Sequence, residues 1–179
     1  MSVIPISPPA GKPHAFALFD LGFRPFFLLA ALFSLVSIPF WTGSQLYGWP
    51  LPRPLPVAPM SWHAHEMIFG YAMAVVAGFL LTAVRNWTNI PTLRGALLAA
   101  LIALWLGARL VMGVAPQAVA WAAVFDCTFG LALTAAIAVP LARAGQWKQF
   151  GVVSKVFLLS LANALFYAGA AGWLAEGVR

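Results

Sequence analysis

Residues 62–84 read WHAHEMIFGYAMAVVAGFLLTAV, a short polar cluster followed by a continuous apolar run. After Glu66 the run carries no charged side chain up to Val84, and its length suits the hydrocarbon core, which takes about 20 helical residues to cross. The apolar residues are continuous and do not alternate with a period of two, which favours a helix over a membrane strand. The stretch therefore predicts a membrane-spanning helix over 66–84, with two histidines and a carboxylate at its mouth.

Four further apolar stretches of similar character predict the other membrane spans. Pro25 suits the first turn of a helix, and Pro39 should kink or end the first span. We predict an all-α, polytopic transmembrane bundle that forms a single domain over residues 1–179, with a Pro-rich cytoplasmic leader at 1–15. In addition to 66–84, the predicted spans are 25–41, 96–114, 118–141 and 152–174.

The composition requires lipid as the solvent for most of the chain. Hydrophobic residues make up 63% and charged residues 8%, and four acidic plus ten basic side chains cannot supply the surface of a soluble domain. The net charge of +6 comes without a basic run, which argues against nucleic acid as a partner. Cys127 is the only cysteine, so no intrachain disulfide forms and any haem would be bound noncovalently.

The placement of lysine and arginine predicts the orientation of the bundle. Most basic residues flank the leader and the predicted loops 85–95 and 143–151. By the positive-inside rule the N-terminus is cytoplasmic and the C-terminus lies outside. This orientation places the histidine cluster at the outer surface of the membrane.

The cluster itself has the residue types of a metal or haem site. On a helix, His63 and Glu66 lie within about 60° of each other and His65 points nearly opposite. Imidazole ligates copper and haem iron, and a nearby carboxylate can fix the tautomer of a ligating ring. His63 and His65 are therefore candidate ligands, with Glu66 orienting them; if the helix starts at or after His65, both rings could reach one metal from a turn. Anchoring at the headgroup level is the alternative role.

A stripe of small residues continues below this cluster on the predicted helix. Gly70, Ala74 and Gly78 follow Glu66 at a spacing of four. The stripe either packs closely against another helix or leaves a slot for a flat ligand, and packing is the favoured interpretation.

Charged and polar residues inside the other spans are the remaining candidates, because such groups are costly in lipid. Arg109 and Asp126 lie near the same end of a predicted helical hairpin and should form an ion pair. The functional alternative is that Arg109 holds a haem propionate or an anionic ligand while Asp126 relays protons. Asn163 should bridge helices by hydrogen bonds or line a cavity.

Several segments in order along the chain resemble the NnrS family. They are LGFRPFF at 21–27, WHAHEMIFG at 62–70, AGFLLTAV at 77–84 with NWT at 86–88, GAR at 107–109 and LAN at 161–163.

The resemblance implies a bacterial inner-membrane protein that contains haem and copper and is linked to denitrification and to protection against nitric oxide. It implies cofactor-binding roles for His63, His65, Glu66 and Arg109, and it leaves open whether a reaction is catalysed. Members of this family typically have about twice as many spans, so we expect a second half-chain or self-association to complete the site. The alternative function is a cofactor-free membrane scaffold or a transporter fragment.

Overall fold

The computed structural model describes residues 18–52 and 54–172, and within these ranges the chain forms five long helices and no strand. All five are long and apolar enough to cross a membrane, which confirms the all-α, polytopic prediction. The leader at 1–15, His14 and Arg53 lie outside the described residues. The helices are α1 Phe23–Tyr47, α2 Pro59–Thr88, α3 Gly95–Val114, α4 Val119–Arg143 and α5 Phe150–Ala170.

Two helix boundaries differ from the prediction for identifiable reasons. α1 continues through Pro39 and ends only before Gly48, whose φ of 68° is the left-handed conformation of a helix C-cap. Of the two effects expected of Pro39, a kink or an end of the span, the end does not occur, and the predicted boundary at residue 41 was too early. α2 begins at Pro59, because proline needs no N–H partner in the first turn. Both His63 and His65 therefore lie within a helix, and a pre-helical turn that presents both rings to one metal does not occur.

A π-helical segment interrupts α2 over Glu66–Ala72, directly after the histidines. Such wide turns are rare in proteins as a whole, but those that occur are often found at functional sites. They shift the direction of side chains and loosen the pattern of backbone hydrogen bonds. Within this segment the carbonyl of Gly70 accepts a hydrogen bond from the indole of Trp105 on α3, at 3.0 Å. The segment is therefore fixed to α3 at the level where Glu66 projects.

The helix α2 lies at the centre of the bundle. Half of its most apolar window is buried, compared with 17% for α1, which packs mainly on α2. α2 also packs on α4, which in turn contacts both α3 and α5. Large apolar side chains such as Leu35, Val36 and Leu110 stay exposed on the outside, as expected for surfaces that face lipid.

A tight turn after α3 makes α3 and α4 an antiparallel hairpin, as predicted. The turn occupies the residues between Val114 and Val119, so the last turns of α3 and the first turns of α4 lie at the same depth. The indole of Trp62 on α2 donates a hydrogen bond to the carbonyl of Met112 at this end. The hairpin and this hydrogen bond together bring the polar residues of α2, α3 and α4 to the same end of the bundle.

Candidate functional site: a buried polar network beside an apolar cavity

Four helices contribute to a network of polar side chains at the end of the bundle that carries the α3–α4 turn. Each of its members is at most 6% exposed. Polar groups buried this deeply in an apolar interior are costly unless they have hydrogen-bonding or charged partners. The members are His65 and Glu66 on α2, Arg109 on α3, Asp126 on α4, and Asn163 and Tyr167 on α5.

The guanidinium of Arg109 joins two carboxylates. Its Nη1 donates to Glu66 Oε1 at 2.9 Å, and its Nη2 forms a short ion pair with Asp126 Oδ2. The predicted pairing of Arg109 with Asp126 is confirmed, while the ion pair with Glu66 is an addition that the sequence did not reveal. The cation is thus surrounded by negative charge on both sides and has little electrostatic need for a further anion.

His65 is engaged at both ring nitrogens. Its Nδ1 lies 3.1 Å from Glu66 Oε1, and its Nε2 lies 2.8 Å from Asn163 Oδ1. The ring also stacks on Phe166, with 4.2 Å between ring centroids. The hydrogen bond from α2 to α5 agrees with the predicted bridging role of Asn163.

Tyr167 is a network member that sequence reasoning missed. Its hydroxyl donates to Asp126 Oδ2 at 2.8 Å, which gives the same carboxylate oxygen a second donor besides Arg109. A tyrosine in an apolar span is readily taken for an interfacial anchor. The available signal was its spacing of four from Asn163, which places both side chains on one face of α5.

His63 lies on the other side of α2 and has a different environment. Its ring is half-buried and stacks on the indole of Trp41 from α1, with 4.2 Å between centroids and 2° between planes. Within the described residues the ring makes no hydrogen bond or ion pair. The predicted divergence of the two histidines is therefore observed, with His63 facing α1 and His65 facing α5. The predicted pairing of Glu66 with His63 holds only in that both line the same cavity, because the carboxylate bonds to His65.

A cavity of about 260 Å³ adjoins His63 between α1, α2 and α3. Most of its walls are apolar, including the rings of Phe33 and Phe40, while Glu66 and Arg109 border it at the network side. Ser37 and Arg109 line the cavity, and each has a fully buried polar atom, Oγ and Nε, without a partner in the described part of the chain. A buried donor without a partner costs roughly 1–3 kcal/mol, and neither atom has surface that a ligand in the cavity could reach without a shift of its side chain.

Comparison with known proteins identifies the family. The family model described as NnrS protein matches residues 17–179, which is most of the chain. The chain belongs to the NnrS family. Searches of curated proteins and of solved structures return no match. Family membership and the five apolar helices together make this NnrS chain a membrane protein.

The small-residue stripe of this NnrS chain packs against helix α1. A Cβ added to Gly70 would lie 2.9 Å from Phe33 Cε1 and 3.0 Å from Arg109 Nη1, and one added to Gly78 would lie 2.9 Å from Phe27. The aromatic side chains of α1 fill the face that a flat ligand would need. The favoured interpretation of the stripe, close helix packing, agrees with these contacts.

The donors at the cavity fit a haem only in part. His63 offers one imidazole, which is a usual ligand of haem iron, whereas Arg109 already pairs with two carboxylates and its unpartnered Nε is fully buried. The cavity is smaller than the roughly 300–1,000 Å³ of pockets that enclose drug-sized ligands, so the described residues around it do not enclose a macrocycle.

The donors fit copper less well than they fit haem. No group of three or more His, Cys, Asp or Glu side chains that could hold a metal occurs within 18–52 and 54–172. Met67, one helical turn after His63, lines the same cavity and carries a thioether, which is a soft ligand suited to Cu(I). Two such side chains make an incomplete ligand set, so a complete copper site needs donors from elsewhere.

Proposed function

We propose that this chain is a bacterial inner-membrane protein of the NnrS type that binds haem and copper and acts in nitric oxide metabolism and protection against nitrosative stress. The single observation that carries the proposal is the position of His63, whose ring makes no hydrogen bond within the described residues and borders a cavity that Glu66 and Arg109 also line. His63 and Arg109 border one largely apolar space near the start of a membrane helix, and an apolar pocket with few polar groups suits a hydrophobic cofactor.

The two histidines take different roles in this proposal. His63 is the ligand, because its ring has no competing hydrogen bond and lines the cavity. His65 is a positioning residue, since its nitrogens are occupied by Glu66 and Asn163. Glu66 lines the cavity and also bonds to His65 and Arg109, so these two residues fix the orientation of its carboxylate next to the ligand. When bound, haem supplies an iron that can coordinate a diatomic nitrogen oxide.

Completion of the site calls for a further polypeptide surface. The cavity is too small to enclose a macrocycle, and the copper donors near His63 are too few. We therefore propose that a second half-chain or another copy of this chain supplies the missing walls and donors. The orientation with the N-terminus in the cytoplasm would place this assembly at the outer face of the inner membrane.

A cofactor-free scaffold or transporter fragment is the second candidate, and one observation favours it. Each charged group of the network has an opposite charge beside it, because Arg109 pairs with both Glu66 and Asp126, so these charges need no cofactor to be tolerated in lipid. In that case His63 would serve only as an interfacial ring stacked on Trp41.

The experiment that separates the two candidates is spectroscopy with metal analysis on the detergent-extracted protein from cells supplied with haem and copper. We expect a Soret band that is lost in His63→Ala and retained in His14→Ala, which removes a histidine of the leader. A smaller reduction is expected in His65→Ala. Absence of both a Soret band and copper from the native chain, or a full spectrum in the double variant His63→Ala/His65→Ala, would favour the scaffold.

A further inference from the structure

A second concave surface lies at the opposite end of the α3–α4 hairpin from His63. This α3–α4 groove, with a volume of about 660 Å³, runs between the N-terminal half of α3 and the C-terminal half of α4. Its walls are mostly apolar, and two arginines border the end of the groove where α3 begins and α4 ends. The lining residues used below are Arg94, Leu104, Ala132, Ala135 and Arg143.

The two arginines carry positive charge that nothing in the described part of the chain neutralises. Arg94 and Arg143 are exposed, they line the same groove, and neither has an ion pair within 18–52 and 54–172. No aspartate or glutamate is among the lining residues. Two like charges that share one concave surface attract an anion, and the anion would relieve their mutual repulsion.

The length of the groove matches one leaflet of a bilayer. The helical rise from Arg94 to Leu104, and from Arg143 back to Ala132, is roughly 15–17 Å on each side. Half of a hydrocarbon core of about 30 Å is about 15 Å. With its arginines at the level of the headgroups, the groove ends near the middle of the membrane. Small side chains such as Ala132 and Ala135 leave room along this path for an acyl chain.

We propose that the α3–α4 groove binds an anionic phospholipid, with the phosphate between Arg94 and Arg143 and an acyl chain along the alanines. Basic pockets between membrane helices commonly hold acidic headgroups. A second copy of this chain fits less well, because it carries the same net charge of +6 and would bring further positive charge to the arginines. The site is remote from His63 and does not depend on the proposed cofactor.

The test is native mass spectrometry of the full chain after incubation with equimolar phosphatidylglycerol and phosphatidylcholine. We expect preferential retention of phosphatidylglycerol. Each arginine should contribute about fivefold, the equivalent of about 1 kcal/mol per basic residue near an anionic headgroup. Arg94→Gln/Arg143→Gln should therefore reduce the preference by roughly 25-fold in relative binding constant.

Matched variants distinguish a site from general attraction to a basic protein. Arg85→Gln/Lys148→Gln removes the same charge from exposed positions that do not line the groove, and it should keep the preference. Ala135→Trp leaves both arginines in place but fills the groove, and it should displace the lipid. Equal losses in both double variants would overturn the proposal. So would unchanged retention of phosphatidylglycerol in Ala135→Trp.

Discussion

At the scale of single residues, Arg109 contacts two carboxylates at once, and this geometry changes what a substitution does. An ion pair of Arg109 with Asp126 alone could be replaced by two apolar residues. Because Glu66 binds the same guanidinium, that double replacement would leave Glu66 as an uncompensated buried charge. The three side chains must therefore be treated as one electrostatic unit.

Asp126→Ala should lower stability substantially, because it removes one of the two counter-charges of Arg109 and the acceptor of Tyr167. Breaking a buried ion pair from one side costs about 3–5 kcal/mol. The loss should be visible as a lower apparent Tm in detergent, followed by tryptophan fluorescence. The triple variant Glu66→Gln/Arg109→Met/Asp126→Leu should unfold at a higher temperature than Asp126→Ala. An unchanged Tm in Asp126→Ala would contradict the network.

Tyr167→Phe tests the hydrogen bond that the sequence did not reveal. The substitution keeps the ring and removes only the donor to Asp126, and a hydrogen bond to a charged group contributes about 1.5–3 kcal/mol. The apparent Tm should therefore fall. Tyr71→Phe is the matched control, because Tyr71 is 40% exposed and should change little. Equal effects of the two substitutions would show that the Tyr167 hydroxyl contributes nothing specific.

At the scale of elements, the π-helical segment of α2 depends on the absence of a side chain at Gly70. α1 and α3 approach so closely there that an added methyl group meets a rigid ring of Phe33 and the guanidinium of Arg109. The segment and the network are thus coupled through one position of α2.

Gly70→Ala should destabilise the bundle and disturb the cavity, even though alanine is the better helix former. Overpacking of this kind typically costs about 1–3 kcal/mol. Gly113→Ala is the control, since a Cβ there meets nothing within 4 Å, and in a helix the change should be neutral or stabilising. The stability changes of the two variants can be read from the apparent Tm. A Gly70→Ala variant as stable as Gly113→Ala would mean that α1 moves aside freely.

The sequence predicted the five helices better than it predicted the contacts between them. Continuous apolar runs predicted all five helices, and the short turn between spans predicted the Arg109–Asp126 pair, because both signals are local. The span was predicted to begin at residue 66, whereas α2 begins at Pro59, because proline is common in a first helical turn. The cavity was not predictable, as its walls come from α1, α2 and α3 at positions fixed only by packing.

At the scale of the whole molecule, the orientation in the membrane stays a prediction. Reporter fusions in the 85–95 loop should be active only with a cytoplasmic reporter, because basic residues are retained on the inner side. A fusion after Ala115, in the α3–α4 turn, should give the opposite result. A periplasmic signal from the 85–95 loop would place His63 and its cavity at the inner face instead.

The tight turn between α3 and α4 also has a consequence for biosynthesis. Arg109 and Asp126 are 17 residues apart in sequence, so at roughly 5–20 residues per second the counter-charge emerges from the ribosome about 1–3 s after the arginine. Glu66 is made 43 residues before Arg109 and waits roughly 2–9 s for it. The insertion machinery therefore receives the Glu66 carboxylate first, without a counter-charge. The α3–α4 hairpin follows, and its Arg109 and Asp126 largely neutralise each other. The order of synthesis makes Glu66, at the mouth of its helix, the charge that must remain hydrated longest.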